Sequence, residues 1–216
     1  MNACDNRDYT HKQDSTADVL SCSVQIIERK WVGMRVIMTE RFVLRPFRAE
    51  DVTAMYRNWC CDERVARYCK WCPHESIAVT KELLHKYLTE ADDGFEYRWA
   101  ITKKEADEPI GCIDVVGFGA DGRTPEIGYV LSHAEWGKGC MTEVLQAVIT
   151  YLFSCGYSEI IARHHVENLA SGRVMEKCGM HMTGYTKIQE KFGSDQLCDV
   201  KCYAISTPQQ TIKTEE

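Results

Sequence analysis

The chain has 216 residues, 44% of them hydrophobic and 27% charged, with a formal net charge of −6 at pH 7. That length suits one domain with a short extension and is ample for burying a core, while the acidic balance argues against a general nucleic-acid binder, which is normally basic. The apolar stretch Val144–Cys155 is broken by Gln146, Thr150 and Ser154, so no run reaches membrane-spanning length and no membrane partner is expected. The first residues (Asn2, Asp5, Asn6, Arg7, Asp8) lack the basic and apolar regions of a secretion signal, which predicts a cytoplasmic protein. Twelve cysteines are scattered along the chain rather than arranged as a secreted framework. Cys69-Lys-Trp-Cys72 has C-x-x-C spacing, but the other pair, Cys60-Cys61, is adjacent. A zinc knuckle wants two spaced pairs, so reduced thiols packed as small apolar residues are expected, and no metal.

In chain order, residues 1–38 are polar and aperiodic at first and read as a peripheral or poorly structured extension, with a short strand possible at Val24–Ile27. The domain is expected over residues 39–207, followed by a tail at 208–216. Phe42–Pro46 reads as a strand, and Ala49-Glu-Asp51 opens a helix with early acids that suit its dipole. A short helix covers Glu63–Tyr68. Pro73 and Ser76 introduce another that runs to about Ala91, with Leu84 and Leu88 on one face. Tyr97–Thr102 and Pro109–Phe118 form strands around a polar turn at Glu105–Glu108. Asp121-Gly122 turns the chain into a strand ending at Leu131. A helix then runs to Cys155 with Met141, Leu145, Val148 and Leu152 aligned, and Gly156 stops it. Glu159–Arg163 is a buried strand, Asn168 caps a helix ending before Gly179, and Met182–Ile188 and Leu197–Ile205 are the last strands.

The segment Glu126–Glu143 is the most informative. A strand, a turn bearing Gly137 and Gly139, and a helix start together aim unpaired N–H groups at one point, where an anion is favoured. The glycines clear side chains from that point. A Rossmann turn would need G-x-G-x-x-G early in a βαβ unit, yet Met141 and Thr142 follow the glycines here and the turn lies past mid-chain; a Walker A loop is absent.

Arg41-Phe-Val-Leu-Arg-Pro46, Trp99-Ala-Ile101, Pro109-Ile-Gly111, Glu126–Leu131 with Trp136-Gly-Lys-Gly139, and Asn168-Leu-Ala-Ser171 with Arg173–Gly179 occur in one order. Together they resemble the GNAT superfamily of acyl-CoA-dependent N-acyltransferases, in particular its RimJ/RimL-like branch. The resemblance covers Thr39 to Ile205. It implies an α/β (α+β) GNAT fold: a mixed, mostly antiparallel central sheet, splayed between the fourth and fifth strands and flanked by helices. The superfamily's turn pattern is Q/R-x-x-G-x-G/A; Trp136 stands at its first position and Met141 at its last.

By this resemblance the co-substrate is acetyl-CoA. Its pyrophosphate would be held by backbone N–H groups across Trp136, Gly137, Lys138, Gly139, Cys140, Met141 and Thr142, its pantetheine arm by the backbone of Val130 and Leu131, and Asn168 would be a further contact. The reaction implied is direct attack of a primary amine, a protein N-terminal α-amine first, within a ternary complex. A small-molecule amine (polyamine or antibiotic) acetyltransferase and a cysteine-rich, non-catalytic binding module on the same fold remain alternatives. Glu126, at the start of the cleft-facing strand, and Glu190, after the penultimate strand, compete for the general base. Ser171 is the expected proton donor to the leaving thiol, since the tyrosine many members carry one turn on is replaced by Met175. A backbone N–H near Leu131 would meet the oxyanion. His164 and His165 end a buried strand and should face opposite ways. A monomer or a homodimer both suit the sequence.

Overall fold

The computed structural model describes residues 25–27 and 36–207. Within them a nine-stranded sheet forms the spine, in the order β1-β2-β3-β4-β5-β6-β7-β9-β8. The strands are β1 (Gln25–Ile27), β2 (Val36–Met38), β3 (Phe42–Arg45), β4 (Arg98–Lys103), β5 (Ala106–Phe118), β6 (Pro125–Leu131), β7 (Glu159–His165), β8 (His181–Gln189) and β9 (Leu197–Ser206). Every neighbouring pair is antiparallel except β6 and β7. The helices are α1 (Val52–Met55), α2 (Glu63–Ala66), α3 (Ile77–Asp92), α4 (Cys140–Ser154) and α5 (Leu169–Lys177).

Helices cover both faces, which is why β4 reads as a near-continuous apolar run instead of an alternating one. Trp99 and Ile101 of β4 enter a core beneath α4 and α5, with Ile113, Ile127, Val144, Leu145 and Val148. Ala100 and Cys112 face the opposite way, into a smaller core with Met55, Trp59 and Leu84 under α1 and α3. The four positions aligned on α4 by helical spacing, Met141, Leu145, Val148 and Leu152, are all buried, and the helix stops before Gly156, whose φ is +91°. Arg45 is buried at the end of β3 because its charge is fully paired: Asp51 takes both terminal nitrogens at 2.8 Å, and Asp107 accepts from Nε at 2.6 Å.

Several elements depart from the sequence reading. The sheet reaches upstream of Thr39: Val36–Met38 pairs with β3 on one side and β1 on the other, with Ile37 fully buried. A three-residue apolar run is too short to show any period, so the sequence carries no signal for it. The β4–β5 turn is tighter than expected, at Lys104-Glu105, and Pro109 lies inside β5. It sits at a register shift, where a residue without an N–H costs the ladder least. Ala49–Asp51 is a 3₁₀ turn leading into α1, which continues as a π-turn over Tyr56–Cys60; the helix at Glu63 ends at Ala66. Residues 1–24, 28–35 and 208–216, part of the expected extension and the expected tail, lie outside the described residues. Among the described residues no helix is long and apolar enough to cross a membrane.

Candidate active site

Two consecutive features of the chain define the site. The first is a divergence in the sheet. β6 pairs with β5 along its whole length, from Phe118↔Pro125 to Gly111↔Leu131. Against β7 it pairs only at Glu126↔Ile161 and Ile127↔Ala162. From Gly128 to Leu131 the edge of β6 turned towards β7 has no strand beside it, so its amides suit an extended ligand that bonds as a strand would. Val130 and Leu131, the residues expected to meet a pantetheine arm, lie on this edge.

The second feature is the turn that follows. His133–Glu135 forms one 3₁₀ turn, Trp136 is extended, Gly137 (φ +76°) and Gly139 (φ +74°) are both left-handed, and α4 begins at Cys140 without a side-chain cap. Left-handed geometry at both positions explains the glycines directly, since a Cβ would strain either one. The Trp136 indole N–H donates to the Leu131 carbonyl at 2.9 Å and so ties the turn back onto the end of β6. Cys140 and Met141 are buried in the main core, so they offer the turn their backbone only. Met141 therefore occupies a Gly/Ala position without obstructing it.

The charges around the turn come from three places in the sequence. Glu135 is buried between Lys103 (2.7 Å) and Lys138 (3.3 Å). Burial works against its charge, but the two lysines outweigh that and hold its pKa below the ordinary glutamate value. Lys138 is thereby steered along the turn. Arg41, from the entrance to β3, donates to the Lys138 carbonyl at 3.0 Å, and its Nη2 lies 3.7 Å from where a Cβ on Gly139 would stand. Glu143, in the first turn of α4, accepts from the Thr39 hydroxyl (2.6 Å), the Arg41 amide (2.8 Å) and Arg41 Nε (2.6 Å). Burial opposes the charge on Glu143 too, and these donors win, so its pKa is lowered. Arg41 was not among the expected site residues; only the fold brings it beside a turn 97 residues away. Burial keeps the Cys140 thiol protonated, with its pKa raised.

Ser171 lies in the first turn of α5. Asn168 caps that helix through Oδ1, which accepts from the Ser171 N–H at 3.3 Å. The Ser171 hydroxyl is 2.8 Å from the hydroxyl of Tyr129, which also donates to the Ser171 carbonyl at 3.1 Å. Tyr129 is on β6 in the diverging segment, and burial raises its pKa, so it remains a neutral phenol. A tyrosine thus stands at Ser171 after all, supplied by β6 and not by α5, where Met175 is buried in the core.

On the opposite face of the sheet, Glu126 is held by Arg163, whose Nε donates to one carboxylate oxygen at 2.7 Å while Nη2 pairs with the other. This pair bridges β6 and β7 beside their last paired residues. His165 stacks on Tyr68 with ring centres 5.1 Å apart. His164 points the other way: it is buried against Tyr203 (5.4 Å), with Nδ1 donating to the His165 carbonyl, and a Cβ on Gly172 would come within 2.8 Å of its Nε2. Burial lowers its pKa, which keeps the ring neutral. Glu190 lies in the β8–β9 turn, its N–H donating to the Gln196 carbonyl at 2.9 Å. Most of the expected residues therefore gather in two groups, the turn with the β6 edge and the Ser171 corner, while Glu126 is paired with Arg163 and Glu190 lies in the β8–β9 turn.

Among the described residues no three of His, Cys, Asp and Glu converge to hold a metal ion. Within the Cys60–Cys72 cluster, burial pushes the Cys60 thiol up to about 12 and Cys69 up to about 11.

Comparison with known proteins agrees with this geometry. Residues 41–181 match the family model of the acetyltransferase (GNAT) domain. An uncharacterised N-acetyltransferase of Bacillus licheniformis is 28% identical over 173 residues, covering 80% of this chain and 96% of its own. The ribosomal-protein-serine acetyltransferase of Escherichia coli is 32% identical over 99 residues, 45% of this chain and 55% of that one. The crystal structure of a GNAT-family acetyltransferase from Bacillus anthracis superposes with a TM-score of 0.69 at 26% identity, over 79% of this chain and 98% of that chain. The divergent β6–β7 pair, the two-glycine turn ahead of α4 and the family match over most of the sheet place this chain in the GNAT acetyltransferase family.

Proposed function

We propose that the protein transfers an acetyl group from acetyl-CoA to a primary amine, first of all the α-amine of a protein N-terminus. The observation that carries this reading is the alignment of the unpaired β6 edge with the uncapped start of α4. The first suits the amides of a pantetheine arm and the second a pyrophosphate. RimL, a ribosomal-protein α-N-acetyltransferase whose structure with coenzyme A has the same fold, superposes with a TM-score of 0.65 at 20% identity over 77% of this chain and 94% of its own. The E. coli relative named above is a ribosomal-protein-serine acetyltransferase, which supports an N-terminal acceptor.

In the reaction the amine nitrogen attacks the thioester carbon; a C–N bond forms and the C–S bond breaks. Charge building on the acyl oxygen is met by a backbone N–H near Leu131. The leaving sulfur takes a proton from Ser171, which Tyr129 holds in place and which recovers one from solvent, and the amine gives its proton to a carboxylate that releases it to solvent. Glu190 suits that last role better than Glu126: Arg163 engages both oxygens of Glu126 and blocks access to them, so Glu126 is assigned to fixing the point of divergence.

An α-amine with pKa near 7.7–8.0 is about 10–20% neutral at pH 7, so the base is needed most below that pKa. Glu190→Gln should reduce turnover by about 10²-fold at pH 7, with the deficit shrinking as pH rises through 8 to 9, whereas Glu126→Gln should show a pH-independent loss. Steady-state thiol release with a Ser-initiated peptide, with acetylated peptide identified by mass, makes the measurement. A Glu190→Gln enzyme with wild-type turnover at pH 7 would remove Glu190 from the mechanism.

A further inference from the structure

Lys191 has no part in the chemistry above, yet its ammonium is bound to one short segment of backbone. Nζ donates to the carbonyls of Ala66 at 2.8 Å and Cys69 at 2.7 Å, with longer bonds to Trp71 (3.3 Å) and Arg67 (3.4 Å). Ala66 and Arg67 end α2, where carbonyls lack helical partners. The next residue continues the attachment: the Phe192 N–H donates to the Lys70 carbonyl at 2.7 Å, and the Lys70 ammonium lies 5.4 Å from the centre of the Phe192 ring. The β8–β9 turn is thereby fastened to the segment that follows α2.

That segment crosses the open end of the divergence. At its start, Asp62 caps α2, and Val65 of that helix lies in the core cluster against which Val130 of β6 packs. At its far end Tyr68 stacks on His165, the last residue of β7, and Arg67 comes within 4.0 Å of Glu167. His165 and Arg163 alternate along β7 and share a face, so α2 and its loop span from β6 to β7 on the side where Arg163 holds Glu126. This is the side from which an amine would approach a thioester lodged between the strands.

We propose that Lys191 is a positioning residue for the acceptor: by gathering four backbone carbonyls it holds the α2–α3 loop closed over the end of the β6–β7 gap and fixes the wall that an extended peptide acceptor lies against. The proposal rests on the acyl-transfer reading above. Carbonyl dipoles pointed at one another repel, and a cation at their focus is what makes the arrangement favourable. An ammonium offers three protons that can rotate to meet converging acceptors, which a planar guanidinium cannot do. Without the charge, the carbonyls would turn out towards water and the loop would move with them.

The test compares full-length wild type with Lys191→Met. With a peptide acceptor, its KM should rise about tenfold while the KM for acetyl-CoA stays within about twofold. An unchanged acceptor KM, or a parallel rise in both constants, overturns the proposal, since a general loss of structure would move both. Hydrogen exchange supplies a reading independent of activity. The amides of 67–72 should exchange about tenfold faster in Lys191→Met with those of α4 unchanged, and an unaltered loop would likewise overturn it. If Lys191→Met does not fold, Lys191→Arg takes its place with the same two readings, because it keeps the charge and loses the convergence. Wild-type enzyme that acetylates no amine sinks the acyl-transfer reading; active wild type with an unmoved loop sinks only the role of Lys191.

Discussion

Tyr129 and Ser171 are 42 residues apart in the chain, yet their hydroxyls stand 2.8 Å apart where β6 leaves β7. A serine hydroxyl can rotate freely, so a fixed partner decides which way its proton points. Because the buried Tyr129 stays protonated and gives its one O–H to the Ser171 carbonyl, its oxygen is left to accept from the Ser171 hydroxyl, which fixes where Oγ stands. Tyr129→Phe removes the two neutral hydrogen bonds to Ser171, about 0.5–1.5 kcal/mol each, so turnover should fall about five- to 150-fold with the acetyl-CoA KM little changed. The effect should fade with a thioester whose thiol has a lower pKa, because that sulfur needs no proton to leave. An equal loss with both donors would make Tyr129 a packing residue only.

At the scale of elements, the start of α4 is held by groups that sequence cannot associate. Glu143 unites Thr39, Arg41 and the helix, and Arg41 in turn supports the glycine turn through the Lys138 carbonyl. Glu143→Gln should destabilise the domain by about 1–2 kcal/mol, because hydrogen bonds to a partly buried charge are lost. The sign with pH follows from its lowered pKa. The carboxylate's contribution is present above the ordinary glutamate value of 4.5 and is lost as pH falls through the lower folded value. The gap between wild type and variant in urea unfolding should therefore be full at pH 6 and narrow below pH 4.5. The glycine turn and α4 were legible because each is local: two glycines, a helix start and an apolar stripe all fall within one stretch. Arg41, Tyr129 and Lys191 were not, since their roles depend on which strands are neighbours, and nothing in their own surroundings in the chain reports that. The β2 strand and the position of Pro109 at a bulge were missed because short runs carry no period.

At the scale of the whole molecule, the described residues form one sheet with both faces covered, and it opens where β6 and β7 part. Two histidines contribute to the molecule's response to pH. Half-buried His74 and buried His164 both have pKa values lowered below 6.5 by burial. Below pH 6.5 the unfolded chain takes up protons that the folded one refuses, so stability falls as pH drops from 7 towards 5.5. A urea midpoint that declines over this interval in wild type, and less in a His164→Asn variant that remains folded, is the expected outcome. Most direct for the account as a whole is calorimetric titration of acetyl-CoA into wild type and Gly139→Asp. A side chain at a left-handed position, bearing a negative charge where N–H groups converge, should abolish binding that wild type shows at a single site, with the melting curve of the free variant still cooperative. Equal affinity in the two proteins would contradict the placement of the pyrophosphate at this turn, and no binding by wild type would contradict the acetyl-CoA reading itself.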